Sequence, residues 1–320
     1  GDKASDYTYN ILFRADNPTG NLLNRHFPGT ASVEETSNYY TARKMGLFFK
    51  PEKTGLLYFS VPKNKFLIDA KKHSLSNLKE EVCGLVLKKN DQIIYFPTEN
   101  KAFKRKNNFS IDGLDYLKAK DEGQIIGCFH SHIKDASFSF QDINKSFQHN
   151  LTYYLYNIKK DKFYTFDPVK NLRYYKYLNL QFELGVQDCH ILLKNFYFNE
   201  LNLDIQIQNI PNRIGVKYED LKDLNEHIWS LERYQQEYTR NNFEILFPKN
   251  MEDLKIFDVL IFAGFDKGIP THGALFLEND LILHQRYNFI STLESFRKAH
   301  FRSLVYCLRH KEATKLYDKI

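Results

Sequence analysis

Between residues 65 and 158, stretches with apolar residues at helical spacing are interspersed with short, mostly apolar runs, which predicts a mixture of helices and strands. Helical spacing or continuous apolar runs mark each element. Helices are predicted at 65–77, 112–123 and 139–148, and strands at 124–132, at 151–158 and on both sides of the turn "KKND" within 81–100. Strands alternating with helices are typical of an α/β domain.

The second half of the chain has a different order of elements. Helices are predicted at 188–201 and 218–238, and short strands follow at 257–264, 272–278, 281–285 and 303–310. A helix leading into an antiparallel sheet predicts an α+β domain. A linker is expected near 171–180.

Residues 1–65 are rich in Asn, Thr, Tyr, Gly and Pro, with one predicted strand at 54–62. We interpret this segment as a short β-rich N-terminal extension that docks to other proteins. The alternative is extra packing on the following domain.

Composition narrows the class of protein. The chain has 320 residues, 42% hydrophobic and 15% aromatic, which suits folded cores rather than disorder. A net charge of +6 is modest, and the basic run 101–108 lacks any nucleic-acid motif, so we expect no nucleic-acid partner. The apolar runs are too short for a membrane span, and the polar residues 1–10 lead us to expect no signal peptide. The four cysteines are widely spaced, as expected for thiols in a reducing cytosol, so synthesis in the cytoplasm is expected.

The first candidate chemistry lies in "CFHSHIKDASFSFQD", residues 128–142. Residues i and i+2 of a strand share a face, so His130 and His132 can reach one ion. Asp142 supplies a third ligand, and this donor set suits catalytic Zn²⁺. Glu81 is a candidate base, and Ser139 a candidate donor to a developing oxyanion. Ser139 and Asp142 also form a good helix-capping pair, and both roles are compatible.

This constellation resembles the JAMM/MPN metalloprotease family, whose pattern is Glu…HxH-x7-S-x2-D. The resemblance covers roughly 66–165. It implies that His130, His132 and Asp142 bind zinc, that Glu81 is the base and that Ser139 steadies the intermediate. The chain departs from the pattern in two ways: six rather than seven residues separate His132 from Ser139, and Ile133 stands where many members have proline.

The second candidate chemistry begins in "FELGVQDCHILLKNFY". Cys189 opens a predicted helix, where N–H groups and the helix dipole favour a thiolate. If two later strands form a hairpin near 278–280, His272 and His284 lie nearly opposite each other. One histidine can then act as base and the other as its orienting partner. The alternative is a buried structural cysteine.

The motif resembles the NlpC/P60 cysteine peptidases, which cut peptidoglycan stem peptides. The resemblance covers roughly 178–315. It implies that Cys189 is the nucleophile, His272 the base and His284 the third polar residue, with Asp188 matching the residue before the cysteine. Phe182 stands where many members have tyrosine, and an insertion near 218–245 lengthens the gap to His272.

The order of the two domains is similar to the K-type tail-tip proteins of long-tailed bacteriophages. The predicted organisation is an extension (1–65), a JAMM/MPN-like domain (66–170) and a papain-like NlpC/P60 domain (171–320). The resemblance implies a tail-tip hydrolase used in tail assembly or local opening of the host wall. Its partners would be tail-hub proteins and host peptidoglycan, and its location the distal tail of the virion.

Two other functions compete with this interpretation. One is a structural tail-hub protein in which one or both peptidase sites are inactive, supported by the short loop before Ser139 and by Phe182. The other is a cellular enzyme, either a wall-remodelling peptidase or an isopeptidase. The expected lack of an export signal argues against the former, and the attached wall-peptidase domain against the latter.

Overall fold

The structure is a computed structural model that describes residues 65–206, 240–263 and 270–317. The chain divides into two compact units between Lys176 and Tyr177. The predicted strand at 54–62, the predicted helix at 218–238 and nearly all of the extension lie outside the described residues. No helix in the described part is long and apolar enough to cross a membrane.

The first unit contains the helices and strands predicted for it, plus two further elements. Its helices are α1 (Lys65–Ser76), α2 (Gly113–Glu122), α3 (Phe140–His149) and α4 (Leu172–Tyr175). Its strands are β1 (Cys83–Lys89), β2 (Gln92–Thr98), β3 (Gln124–His132), β4 (Thr152–Asn157) and β5 (Lys162–Phe166). The predicted linker thus contains α4, and Tyr177 and Leu178 within it are buried.

The five strands form one mixed sheet in the order β2-β1-β3-β4-β5. Only the β3–β4 pair is parallel among these pairings, so the unit mixes α and β elements without being a parallel α/β domain. The β1–β2 turn has positive φ at Asn90 and Asp91, which matches the right-handed twist of a two-residue hairpin.

Side-chain alternation on the central strand β1 explains why helices cover both sheet faces. Val86 packs in a cluster with Phe66 and Leu67 of α1. Leu85 and Leu87 point the other way and pack with residues of α2. This sandwich fixes β1 and β3: β3 carries His130 and His132, and Glu81 lies just before β1.

The second unit is a helix followed by an antiparallel sheet, as the α+β prediction expects. Its helices are α5 (Cys189–Leu201), α6 (Lys298–Arg302) and α7 (Ala313–Tyr317). Its strands are β6 (Phe243–Leu246), β7 (Val259–Ala263), β8 (Pro270–Leu277), β9 (Leu281–Gln285), β10 (Ser291–Ser295) and β11 (Leu304–His310), ordered β10-β9-β8-β7-β11-β6. Helix α5 packs against β8 and β9.

A buried ion pair anchors the rim of this second sheet. Arg309 on β11 donates from Nε and Nη2 to the two carboxylate oxygens of Asp258, at 2.8 and 2.7 Å. Asp258 is 1% exposed and also accepts from the backbone N–H of Lys255. Burial raises the pKa of Asp258, and Arg309 opposes that effect. The pair therefore depends on both partners being present.

Candidate functional site

Strand β3 presents both candidate histidines at its buried carboxyl end. His130 is opposite Cys83 in the antiparallel β1–β3 register. Continuing that register by two residues places Glu81 opposite His132, and a reciprocal pair of bonds extends the ladder: Ser131 N–H donates to Val82 O at 2.9 Å, and Val82 N–H donates to Ser131 Oγ at 3.0 Å. Strand pairing thereby brings Glu81 and His132 together, although some fifty residues separate them in sequence.

Three ligand-type side chains meet at this strand end. His130, His132 and Asp142 are buried and offer ligand atoms that all lie within 4.8 Å of one another. The two Nε2 atoms are 3.2 Å apart. Asp142 Oδ1 is 3.5 Å from His130 Nε2, and Oδ2 is 3.7 Å from His132 Nε2. The group could hold a metal ion.

These separations fit a four-coordinate ion. Zinc bonds of about 2.0–2.1 Å at tetrahedral angles put neighbouring ligand atoms about 3.3–3.4 Å apart. The histidine pair is slightly closer than that, and the aspartate oxygens are slightly farther. Small side-chain movements would complete the geometry, so the donor set and its spacing suit zinc.

Hydrogen bonding and stacking orient the two imidazoles. His132 Nδ1 is 3.3 Å from the carbonyl oxygen of Ala136, so Nδ1 carries the proton and Nε2 keeps its lone pair for the cluster. Phe109 stacks on His130 with ring centroids 4.4 Å apart. Within the described residues Nδ1 of His130 has no hydrogen-bond partner, so stacking and the contacts of Nε2 orient this ring.

The loop between His132 and the next helix is held by a fully buried amide. Asn157 Nδ2 donates to the carbonyl oxygens of Lys134 and Ala136, at 2.6 and 2.7 Å. Asn157 is also the direct register partner of His132 in the parallel β3–β4 pair. The same carbonyl of Ala136 therefore joins Asn157 to His132, and the six-residue loop still delivers Asp142 to the histidines.

Ser139 and Asp142 form a reciprocal cap at the start of α3. Ser139 Oγ accepts from the backbone N–H of Asp142 at 3.2 Å and donates to Asp142 Oδ2 at 2.7 Å. The backbone N–H of Ser139 donates to the same Oδ2 at 2.8 Å. The capping prediction is confirmed. The hydroxyl proton of Ser139 is engaged with Asp142, so in this arrangement the hydroxyl group holds the Asp142 carboxylate in place.

Glu81 lies beside the histidine–aspartate cluster, with Oε1 3.8 Å from His132 Nε2. Its backbone is fixed by its own N–H, which donates to Arg105 O, and by Asn100 Nδ2, which donates to Glu81 O, both at 2.8 Å. Burial, reinforced by the charge of Asp142 and offset by Lys134, raises the pKa of Glu81 to about 8. A cation at the cluster would oppose that shift, because an opposite charge favours the carboxylate.

The cluster is arranged electrostatically to receive a cation. Burial and the neighbouring His130 lower the pKa of His132 to about 4, so His132 is neutral at ordinary pH. Burial alone would raise the pKa of Asp142, but His130, His132 and the hydrogen bond from Ser139 hold it below its usual range. A neutral imidazole at His132 beside the ionised carboxylate of Asp142 suits metal binding.

The second candidate site starts at a tightly capped helix. Asp188 Oδ1 accepts from the N–H groups of His190 and Ile191, both at 3.0 Å, and Oδ2 accepts from Gly185 N–H at 2.8 Å. Gly185 has a φ of 81°, a backbone conformation that residues other than glycine rarely adopt. This turn places Cys189 as the first residue of α5, so the predicted position is confirmed.

The two predicted histidines contact each other, although not as direct cross-strand partners. His284 is opposite Ala274 on β8 and Thr292 on β10, so His272 reaches it diagonally. His272 Nε2 is 3.0 Å from His284 Nδ1. His284 Nε2 is 2.8 Å from Glu294 Oε1, a diagonal contact in the other direction. The structure therefore adds a carboxylate that the sequence analysis missed.

The turn before Cys189 is tied to the end of β9 that carries His284. Gln187 Nε2 donates to Gln285 Oε1 at 2.8 Å, and Gln285 Nε2 donates to Leu180 O at 2.9 Å. Together with the packing of α5 on β8 and β9, this bond directs the cysteine turn towards the histidine strands. Phe182, where tyrosine was expected from the resemblance, packs edge-on against Tyr287 at 5.1 Å.

The three other cysteines are core residues. Burial raises the pKa values of Cys83 and Cys307 to about 12 and that of Cys128 well above its usual range. All four cysteines lie in the described part of the chain, and none forms a disulfide. Buried thiols of this kind are unreactive.

Comparison with known proteins adds little information about this chain. No family model and no curated protein matches the chain. Among solved structures, the chain is similar to an NlpC/P60 family protein from Bacillus cereus ATCC 10987, with 11% identity and a TM-score of 0.28. The alignment covers 75% of this chain and 66% of that one. At that identity and TM-score the likeness carries no argument about fold or function.

Proposed function

We propose that the chain is a hydrolase with two peptidase sites, one zinc-dependent and one using a cysteine nucleophile. The observation that carries the proposal is the buried cluster of His130, His132 and Asp142 with Glu81 beside it. Two imidazoles, one carboxylate and an adjacent second carboxylate are the parts of a hydrolytic zinc site. A cluster serving only stability would not need two histidine nitrogens 3.2 Å apart.

Each residue of the first site has a definite task in peptide hydrolysis. His130, His132 and Asp142 would hold the ion, which when bound lowers the pKa of a water molecule to about 7. Glu81 takes a proton from the attacking water and later gives it to the leaving nitrogen. Ser139 holds Asp142 in place through its hydroxyl group.

In the second site the residues divide the work of acyl transfer. Cys189 attacks the scissile carbonyl, and His272 takes the thiol proton and returns it to the leaving amine. His284 orients His272 through the 3.0 Å contact. Water then hydrolyses the thioester formed on the sulfur.

The substrate class and biological setting rest on the motif resemblances. The second domain's motif resembles peptidases of peptidoglycan stem peptides, and the domain order resembles phage tail-tip proteins. We therefore propose a distal-tail component that contacts tail-hub proteins and hydrolyses stem peptides during assembly or wall opening. The bond cut by the zinc site would lie in a stem peptide or in another tail protein.

Zinc titration tests the metal half of the proposal. The purified chain is expected to bind one zinc ion, and Asp142→Asn to bind it at least tenfold more weakly. Asp121→Asn is the matched control, because Asp121 is an exposed aspartate of the same unit. Equal affinity in the two variants would contradict the ligand assignment.

Trapping of an acyl intermediate tests the cysteine half. After incubation with peptidoglycan fragments and an acid quench, mass spectrometry is expected to find a stem-peptide adduct on Cys189. Cys189→Ala should carry none. A chain that binds no zinc and forms no adduct, while folded, would support the structural tail-hub alternative.

A further inference from the structure

Three ionisable side chains run diagonally across the second sheet, and their protons can be assigned in sequence. An ionised carboxylate only accepts hydrogen bonds, so the 2.8 Å contact requires His284 Nε2 to carry a proton. While the His284 ring carries this single N–H, its Nδ1 is an acceptor. The 3.0 Å contact then requires His272 Nε2 to be the donor, which leaves the lone pair on His272 Nδ1.

We propose that Glu294 is a positioning residue that acts through His284 to keep His272 in the tautomer whose Nδ1 accepts the proton of Cys189. The inference rests on the proposed function, in which Cys189 is the nucleophile. In the step concerned, the S–H bond of Cys189 breaks and an N–H bond forms at Nδ1 of His272. The products are a thiolate and an imidazolium, and the negative charge of Glu294 stabilises the imidazolium.

The surroundings explain why this carboxylate is needed. Arg286 follows β9, Arg297 Nη2 lies 3.7 Å from Glu294 Oε2, and His300 lies on α6. Burial is the main effect that holds the pKa of His272 well below its ordinary value, and the charge of Arg286 adds to it. Among the described residues, Glu294 is a carboxylate that contacts this histidine pair, through His284 Nε2.

Glu294 is ionised at neutral and mildly acidic pH. Its side chain is 17% exposed, and burial alone would raise its pKa. The hydrogen bond from His284 and nearby positive charge outweigh burial and lower the pKa to about 2. The charge and the acceptor geometry on which the relay depends are therefore present at about pH 6, the pH of the alkylation test below.

The test is the pH profile of Cys189 alkylation by iodoacetamide, read by peptide mapping. The thiolate displaces iodide and forms an S–C bond, so the rate reports the thiolate fraction. In the wild type, Cys189 is expected to react at about pH 6, whereas the three core cysteines serve as internal references. Glu294→Gln keeps an acceptor oxygen but loses the charge, and should slow the reaction about tenfold at that pH, equal to a shift of about one pKa unit. Glu252→Gln, at an exposed glutamate of the same unit, should match the wild type.

The outcomes separate this inference from the function on which it rests. If wild-type Cys189 reacts only as an ordinary thiol, with a midpoint near about pH 8.5, the cysteine half of the proposed function fails. If the wild type reacts at low pH and Glu294→Gln follows the same profile, the role of Glu294 alone is overturned.

Nitrogen NMR of the Cys189→Ala protein decides the matter even if Glu294→Gln does not fold. The proposal predicts Nε2–H on both His272 and His284. A proton on Nδ1 of His272 would overturn it.

Discussion

Replacing Asn157 by alanine should weaken metal binding although Asn157 is not a ligand. Its amide holds the carbonyl oxygens of Lys134 and Ala136 at 2.6 and 2.7 Å, and Ala136 O in turn accepts from His132 Nδ1. Its Oδ1 also accepts from Lys160 N–H at 2.8 Å. The substitution removes all three bonds and frees the loop that orients one ligand and delivers another.

The magnitude follows from the number of bonds and from their link to the ligand. Three hydrogen bonds at about 0.5–1.5 kcal/mol each predict a loss of roughly 2–4 kcal/mol in the free energy of unfolding. Loss of an outer-shell partner of a metal-binding histidine typically weakens metal affinity by about 10–100-fold. That range corresponds to about 1.4–2.7 kcal/mol of binding free energy.

The assay is zinc affinity by chelator competition, with urea denaturation of the metal-depleted protein measured in parallel. Asn107→Ala is the matched control, because Asn107 is an exposed asparagine of the same unit. The urea denaturation curve shows whether Asn157→Ala is folded under the conditions of the zinc assay. Equal zinc affinities for folded Asn157→Ala and Asn107→Ala would refute the coupling of Asn157 to His132.

Three further predictions concern stability. Arg309→Met leaves the buried carboxylate of Asp258 unpaired and should cost about 3–5 kcal/mol in urea denaturation. Glu294 has a folded pKa of about 2 against an ordinary value of 4.5, so its contribution, about 3 kcal/mol, is present above pH 4.5 and is lost as the pH falls towards 2. Gly84→Ala would place a Cβ atom 2.5 Å from Phe96 O and the Tyr95 ring, and should cost about 1–3 kcal/mol.

Each of these predictions has its own contrary result. Adding Asp258→Asn to Arg309→Met should recover at least half of the lost stability, and no recovery would contradict the unpaired-charge explanation. Glu294→Gln should flatten the acid part of the stability curve, and an unchanged slope would contradict the assigned pKa. A Gly84→Ala protein as stable as the wild type would mean that β2 yields to the added methyl group.

The sequence predicted elements best where one residue pattern dominated. The apolar run of β3 and the Ser139–Asp142 cap of α3 are confirmed. Strands β5, β6 and β10 were missed because segments of four or five residues show little periodicity. The mixed sheet was also beyond sequence reasoning, because alternating helices and strands do not specify the direction of each pairing.

Site residues were predicted where a short motif carried them and missed where strand register created them. The motif HxH with S-x-x-D identified the residues that meet in the first unit. Glu294 escaped notice because its link to His284 is a diagonal contact across two strands. Asn157 escaped because only the parallel β3–β4 register puts it beside His132. Polar residues in strands that pair with a motif strand are the signal that could have revealed both.

Digestion of purified peptidoglycan, with fragments read by mass spectrometry, tests the proposed function most directly. The folded wild-type chain loaded with zinc should release fragments cut within the stem peptide. Cys189→Ala should lose the cut assigned to the cysteine site, and Asp142→Asn should retain it. No cleavage by the wild type, or the same fragments from Cys189→Ala, would contradict the assignment of a cysteine peptidase to this chain.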